Sequence, residues 1–375
     1  MIINDYQMVR QRLLLPIGGR MAEKQNPFTH TYGSAGKAYI DMKWAERVIE
    51  NFGYEEPSEY VYKITGVRGS GKTVVLSDII RYFTSADQVK KGWLVYDLSS
   101  ARDPLHTLVA YLAKEKLSKV TGKNTEVNLS ASFGFISGSI SSDNSVPDKY
   151  YDDEVELDEL IGKATGKGKK ILVCIDDIAK TEAVVAFCSV YAKYIRAEKP
   201  VYFVCTGLFS NMDALGRVRN LTFFRRAVSI EVRSLSDVSI TTRYRKLLGV
   251  DMEEARKMAK ITKGYAYAYQ VLGSLYYNKD DSDGLEDLMD DFDELLFSQS
   301  YEKIWSELTE GEKNLILIML DHKKREEILK EMDKPKNYSE YRNSLKKGGI
   351  ISEASRGEIA FCLPHFEEYV RYYCS

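Results

Sequence analysis

The sequence predicts an α/β protein built on a five-stranded parallel sheet, followed by an all-helical unit and then a third, smaller unit. Three observations predict it. From Tyr60, short apolar runs alternate with helix-length amphipathic segments, the pattern of strands joined by crossover helices. After Arg233 the strand pattern stops and four helical patterns follow one another. From Ser300, three more helical patterns lead into two short extended runs.

Residues 1 to about 30 show no clear period and are read as an arm. The expected strands are Tyr60–Thr65, Trp93–Leu98, Lys170–Asp176, Val201–Thr206 and Ala227–Val232. Between them, Lys72–Phe83, Leu105–Lys119 and Glu182–Arg196 carry helical spacing. The near-continuous apolar runs of KILVCI and VYFVC suit strands buried on both faces. One segment interrupts this rhythm. Residues 127–142 alternate Val127, Leu129, Ala131, Phe133 and Phe135 with polar residues, which predicts a β-hairpin-like insertion. It is read either as a surface decoration or as a docking hairpin. The helical unit is expected over roughly 236–248, 251–262, 265–277 and 285–297, the last with an apolar stripe from Leu285 to Leu296. Its start holds nine acids between Asp280 and Glu294. Residues 279–290 nearly fit a calcium loop, but Lys279 takes the first ligand position. That run is read as a solvated helix start. The third unit is expected to hold helices near 308–320, 324–332 and 337–347, then extended Gly349–Glu353 and Glu358–Leu363 around the turn Ala354–Gly357.

Composition narrows the function. The chain has 375 residues, 44% apolar and 29% charged, which excludes a wholly disordered or collagenous chain. No apolar run approaches the length of a membrane span, so no membrane partner is expected. The net charge of −2 provides no global basic field for nucleic acid. Five cysteines, with Cys174 and Cys205 in buried strand patterns, suit reduced thiols. The first residues lack the pattern of a signal peptide. Together these predict a cytoplasmic protein.

The most specific signal is Gly66-Val67-Arg68-Gly69-Ser70-Gly71-Lys72-Thr73, a full match to the phosphate-loop pattern G-x-x-x-x-G-K-[ST]. It follows an apolar strand and opens an amphipathic helix, the placement its physics requires. Glycines let backbone N–H groups converge on phosphate oxygens, and the helix N-terminus adds partial positive charge. Gly66 through Thr73 and the next residue, Val74, are therefore expected to bind nucleotide. Lys72 would reach the β- and γ-phosphates, and the Thr73 hydroxyl would bind Mg2+. Lys72 is expected to face solvent when no ligand is bound. A second element, Lys170–Asp177, is an apolar strand ending in two acids. Asp176 would sit beside Thr73 and hold Mg2+ through water, and Asp177 would poise the attacking water. Thr206, at the end of the fourth strand, either orients that water, touches the γ-phosphate, or caps its own strand. Arg225 and Arg226 precede the fifth strand. Two adjacent arginines cannot both pack in a core, so they either meet a γ-phosphate or make surface ion pairs.

These residues resemble the AAA+ ATPases of origin-recognition type, and more closely the bacterial and archaeal ATP-binding proteins on that plan. The likeness covers nearly the whole chain. Asn26–Gly33 resembles the family's N-terminal motif leading to the adenine pocket, and Ala38-Tyr39-Ile40-Asp41 its second box. Leu221–Ala227 resembles the arginine box, and Lys263–Gln270 the lid motif. The resemblance implies a five-stranded parallel P-loop core with strand order 5-1-4-3-2, a helical lid and a C-terminal winged helix. The implied domains are 1–234, 235–298 and 299–375. It further implies ATP or ADP with Mg2+. The adenine slot would be formed by Pro27, Phe28, Tyr39 and Ile40 with the lid residues Tyr265 and Tyr267. Three departures bear on turnover. Asp177 stands where relatives usually carry Glu, one methylene longer. Ala266 replaces a proline, and no arginine lies in the lid stretch. These favour a slow, switch-like ATPase. The alternatives are a nucleotide-gated signalling or scaffold module without turnover, and an origin-recognition-like DNA-binding ATPase. Residues 299–375 hold 13 bases and 14 acids, unlike a basic DNA reader, so the winged helix would contact either a protein or DNA. A finger arginine acting in trans would require a homo-oligomer.

Overall fold

The computed structural model describes residues 25–29, 36–118, 152–355 and 357–374. Most of the N-terminal arm and the alternating segment at 127–142 lie outside the described residues.

The core is a five-stranded parallel sheet: β1 Val61–Thr65, β2 Trp93–Asp97, β3 Lys170–Ile175, β4 Val201–Gly207 and β5 Val228–Glu231. The spatial order is β2-β3-β4-β1-β5, the order implied by the family likeness. All neighbours are parallel, with Ile64 opposite Thr206 and Val173 opposite Phe203. β1, β3 and β4 are buried nearly end to end, so their alternate side chains fill two separate apolar layers. One layer holds Ile171, Val173, Phe187, Tyr191 and Phe203, the other Phe52, Tyr62, Ile79, Phe83 and Trp93. Helices α1 Trp44–Gly53, α2 Lys72–Phe83, α3 Ala86–Lys90, α4 Pro104–Ser118, α5 Asp153–Thr165 and α6 Glu182–Arg196 cover the two faces. Two short helices, α7 Phe209–Gly216 and α8 Thr222–Arg226, lead from β4 to β5. The arginine pair therefore lies at the end of a one-turn helix.

Three helices follow: α9 Asp237–Leu248, α10 Met252–Thr262 and α11 Ala266–Asn278. Ser236 and Asp251 cap the first two by accepting backbone N–H bonds, as short polar N-cap residues do. A one-turn 3₁₀ segment, Glu286–Leu288, runs into α12 Met289–Leu296, a π-helical turn Phe297–Tyr301 and α13 Glu302–Glu307. The chain thus crosses from the middle unit to the C-terminal unit along one continuous helical path. The C-terminal unit packs α14 Glu310–Asp321, α15 Arg325–Glu331 and α16 Tyr338–Lys347 against an antiparallel pair, β6 Ile351–Ser355 and β7 Glu358–Phe361, and ends in α17 Phe366–Tyr373. A capping box at Thr309 and Glu312 starts α14.

The middle and C-terminal units share one apolar core. Tyr244, Met258, Phe292, Tyr301, Ile316 and Phe366 belong to a single buried cluster. Phe28, Ala38 and Ile40, which precede α1, belong to it as well. Among the described residues no helix is long and apolar enough to cross a membrane.

Candidate functional site

The 66–73 loop leaves β1 and feeds α2. Gly69 and Gly71 hold left-handed backbone angles, φ 76° and 99°, which a side chain would strain. Gly71 is the residue before α2, whose first-turn amides have no partner within the helix. The Ser70 hydroxyl is buried and bonds no group among the described residues. An orphaned hydroxyl in a loop of this conformation fits a phosphate oxygen.

Lys72 does not face solvent as its position alone suggested. Its ammonium folds back onto the carbonyls of Gly66 and Val67, 3.0 Å from each. Burial pushes it down to about 8, against the pull of Asp177 and Asp176. A long side chain next to a loop of open carbonyls bonds them when no stronger acceptor is present.

The third strand ends beside the loop. The Thr73 hydroxyl donates to Asp176 Oδ2 at 2.8 Å. The fully buried Thr206 donates its hydroxyl to the other oxygen of Asp176 and accepts the Asp177 N–H at 2.9 Å. The Ser99 hydroxyl accepts the Asp176 N–H at 2.8 Å. Thr206 thus holds the two acids in place and also lines the cavity. Asp177 takes a left-handed angle, φ 49°, which turns an exposed carboxylate 3.7 Å from Arg68. Hydroxyl and carboxylate oxygens are the hard donors a divalent cation such as Mg2+ prefers, with phosphate and water completing its shell. The pair Thr73–Asp176 fits that ion.

A cavity of about 350 Å³ opens from the loop between the core and the middle unit. Arg68, Lys72, Thr73, Asp176 and Asp177 line its polar end. Tyr39, Ile40, Trp44, Leu235, Tyr267 and Tyr269 supply most of the apolar side. The first turn of α11 bonds the loop directly: the Tyr267 N–H donates to Gly69 C=O at 3.1 Å, and the Tyr265 hydroxyl donates to Arg68 C=O at 2.7 Å.

The residues expected around the cavity are only partly brought together. Gly69, Ser70, Gly71, Val74, Tyr39, Ile40 and Tyr267 line it. Pro27, Phe28 and Tyr265 do not. Phe28 is buried against Tyr244 and Tyr269 in the apolar core, and Pro27 is buried beside it. Tyr265 is the N-cap residue of α11 and points under the loop, where its hydroxyl also bonds Ser300 at 2.7 Å. Gly66 and Val67 face a second cavity of about 70 Å³ against the C-terminal unit. Arg225 and Arg226 are exposed and line neither cavity. They precede Val228, which pairs with Tyr62, so they sit at the opposite end of β1 from the 66–73 loop. Lys63, buried within β1, donates to Phe224 C=O at 2.8 Å and fixes their helix.

Sequence reasoning missed Trp44, Gln299 and Ser300, which also line the larger cavity, and held Thr29, Tyr269 and Gln270 only as members of the N-terminal and lid motifs. Ala266, Tyr269 and Gln270 stand three and four positions apart on α11 and share one face, a signal the spacing held. Gln299 and Ser300 reach the cavity through the π-helical turn, whose extra residue per turn no apolar period announces.

Comparison with known structures decides the fold. A Walker-type ATPase of Pyrococcus abyssi superposes with a TM-score of 0.57 at 13% identity, covering 89% of this chain and 96% of that one. The ORC2 protein of Aeropyrum pernix, in ADPNP and ADP complexes, superposes with a TM-score of 0.50 at 12% identity, covering 88% and 90%. The chain shares the fold of these two proteins, a five-stranded parallel α/β core followed by helical units. Within this fold, the loop, the β3 acids and the cavity stand together at the carboxyl ends of the strands, where open α/β sheets place ligands. No curated protein matches the sequence. A family described as a domain of unknown function, DUF8462, matches residues 298–370, the stretch from the π-helical turn into α17.

Proposed function

We propose that the chain binds ATP with Mg2+ and hydrolyses it slowly, using the nucleotide to set the position of its lid and C-terminal unit. The observation that carries this reading is the convergence of Lys72, Thr73 and Asp176 at the polar end of a cavity whose other end is apolar and aromatic-lined. The dimensions suit a nucleotide, with phosphates toward the loop and a planar ring between Tyr39, Ile40, Trp44 and Tyr267. The AAA+ fold supports it, and so do the nucleotide complexes of the Aeropyrum pernix protein.

In this reading Gly69 to Thr73 cradle the phosphates, and Lys72 leaves the Gly66 and Val67 carbonyls for the β- and γ-phosphate oxygens. Thr73 and Asp176 hold Mg2+, which supplies charge neutralisation at the transferring phosphoryl group. Asp177 accepts the proton of a water that attacks the γ-phosphorus in line. The bond to the β–γ bridging oxygen breaks, leaving ADP and phosphate. Asp177 is half-exposed and shorter than Glu, so its hold on that water is loose and turnover is slow. Arg225 and Arg226 would act only on the γ-phosphate of a neighbouring copy.

DNA contact through the third helix of a winged-helix unit has less support. Lys347 lies 4.6 Å from the Phe209 ring centre on the core, Lys346 pairs with Glu353 at 2.9 Å, and Arg342 lies over Tyr338. The basic side chains of α16 are engaged within the chain. We therefore favour a protein partner for the C-terminal unit.

The test is Mg2+-dependent phosphate release by the purified full chain and by Asp177→Asn. Release that is slow in the parent and lost in the variant supports the reading. ATP binding without release in either protein would make the chain a nucleotide-gated scaffold.

A further inference from the structure

The phosphate-end arginine, Arg68, is bonded across the domain boundary. Its Nη2 lies 2.7 Å from Glu307 Oε1, at the last residue of α13, and 3.7 Å from Asp177. The Arg68 and Glu307 side chains are partly shielded from water, at 28% and 30% exposed, while Asp177 is half-exposed. The Arg68 Nε is buried and bonds nothing among the described residues. Around this pair the C-terminal unit touches the core sparingly. Gly349 approaches Val67, Lys347 covers Phe209, and a cavity of about 70 Å³ lies between them. The large apolar cluster joins the C-terminal unit to the middle helices instead, while the sheet keeps its own two layers. The seam between core and C-terminal unit is therefore thin, and the Arg68–Glu307 pair is a principal polar tie across it.

We propose that Arg68 is a latch whose guanidinium is contested between Glu307 and an incoming γ-phosphate, so that a nucleoside triphosphate, unlike a diphosphate, frees the C-terminal unit from the core. The proposal rests on the nucleotide reading above and adds its means of regulation. Arg68 lines the same end of the cavity as Lys72 and Thr73. A γ-phosphate there presents a planar-compatible, doubly charged acceptor, which a guanidinium binds with two parallel hydrogen bonds. The same phosphate repels Glu307 and Asp177. A diphosphate ends one group earlier and leaves the pair with Glu307 intact. The unpaired Nε gives Arg68 a donor with which to complete a two-point contact after it turns. Because the C-terminal unit and the middle helices share a core, the release moves both, and the α11 contacts at Gly69 move with them.

Reciprocity gives the experiment. If triphosphate binding must break the Arg68–Glu307 pair, removing the Glu307 charge must strengthen triphosphate binding by the same factor. The full chain and its Glu307→Gln and Glu307→Asp variants are titrated with ADP and with a β,γ-imido ATP analogue, both with Mg2+. In Glu307→Gln the analogue should bind about fivefold tighter or more while ADP affinity stays within about twofold. Glu307→Asp, which keeps the charge, should stay near the parent ratio. Spin labels on Ser189→Cys in the core and Glu331→Cys in the C-terminal unit, with Cys362 and Cys374 changed to Ser, report the separation. It should lengthen in the parent with the analogue but not with ADP, and should already be long in Glu307→Gln without nucleotide. An unchanged ratio of analogue to ADP affinity in Glu307→Gln, with nucleotide bound, overturns the latch alone. A separation equal in the ADP and analogue states does the same. A parent whose Tm rises with neither nucleotide overturns the nucleotide reading and the latch together.

Discussion

The Thr73 hydroxyl donates to the Asp176 carboxylate at 2.8 Å, joining the 66–73 loop to the end of β3 with one side-chain bond. Asp176 keeps a second tie to Thr206 and a backbone tie to Ser99, so it stays in place when the first is removed. Thr73→Val keeps the shape and loses the hydroxyl. The variant should bind ATP in EDTA as the parent does, and should lose most of the gain in affinity that Mg2+ gives the parent. Calorimetric titration with and without the metal measures it. An undiminished Mg2+ effect would remove Thr73 from the metal site.

Lys72 should make nucleotide affinity depend on pH. Burial holds its ammonium at about 8 in the ligand-free protein, below the ordinary lysine value. A bound polyphosphate favours the charged form and raises it again. Binding is therefore full below about pH 8 and weakens as pH rises through that value, with proton uptake on binding. Lys72→Ala should lose the ATP-induced rise in Tm, and with it this pH dependence, while unfolding at a Tm near that of the ligand-free parent.

Gly69 and Gly71 should differ when each is replaced by Ala. Both carry left-handed angles, but a Cβ on Gly71 meets open space, whereas one on Gly69 collides with the Tyr265 hydroxyl and ring. Gly71→Ala should cost about 1 kcal/mol of backbone strain. Gly69→Ala adds the loss of the Tyr265 bond to Arg68 C=O and should cost roughly 2–4 kcal/mol. Urea denaturation separates the two; equal costs would mean Tyr265 is not pinned on the loop.

The arginine pair should matter through a neighbour. Both side chains are exposed, on the far end of β1 from the loop. Activity per molecule should rise with protein concentration. Arg225→Ala or Arg226→Ala should lower turnover without weakening ATP binding. Turnover flat with concentration and equal in both variants would make the pair a surface feature.

His365 bonds Asp293 at 2.5 Å, tying α17 to α12. Asp293 raises the imidazole above its ordinary value, outweighing burial and the nearby Lys263. A raised value stabilises the fold fully below about pH 6.5 and ceases to do so as pH climbs through it. Tm should fall as pH rises above about 6.5 in the parent and fall less in Asp293→Asn.

Much of the core was legible because parallel strands buried on both faces leave near-continuous apolar runs. β1 to β5 begin and end within about a residue of the runs that predicted them. The 66–73 loop was legible because its glycines and lysine stand at fixed offsets. The walls of the cavity were not. Trp44, on α1, precedes the first recognised strand and carries no motif. Tyr265, Tyr267 and Tyr269 look alike in sequence, but the helix starting between them turns one under the loop and two toward the cavity. Phe28 was expected at a ring slot because it stands in the stretch resembling the family's N-terminal motif; its apolarity draws it instead into the larger core shared by the middle and C-terminal helices.

That shared core has a topological consequence. Phe28, Ala38 and Ile40 belong to it, and so do Leu235 and Ile240. The Tyr269 hydroxyl donates to Ala38 C=O at 2.7 Å, Arg243 donates to Tyr39 C=O at 2.6 Å, and the Leu235 N–H donates to Gly264 C=O at 2.8 Å. The α/β core is thus an insertion within another body, which the chain leaves just after Met42 and re-enters at Leu235. Two covalent strands cross the seam side by side instead of one. A single tether permits swivel and splay in any direction; a paired tether acts like a door hung on two pins, leaving one axis of rotation. If the proposed latch at Arg68 opens, the expected motion is therefore a swing of α16 away from α7 about that axis.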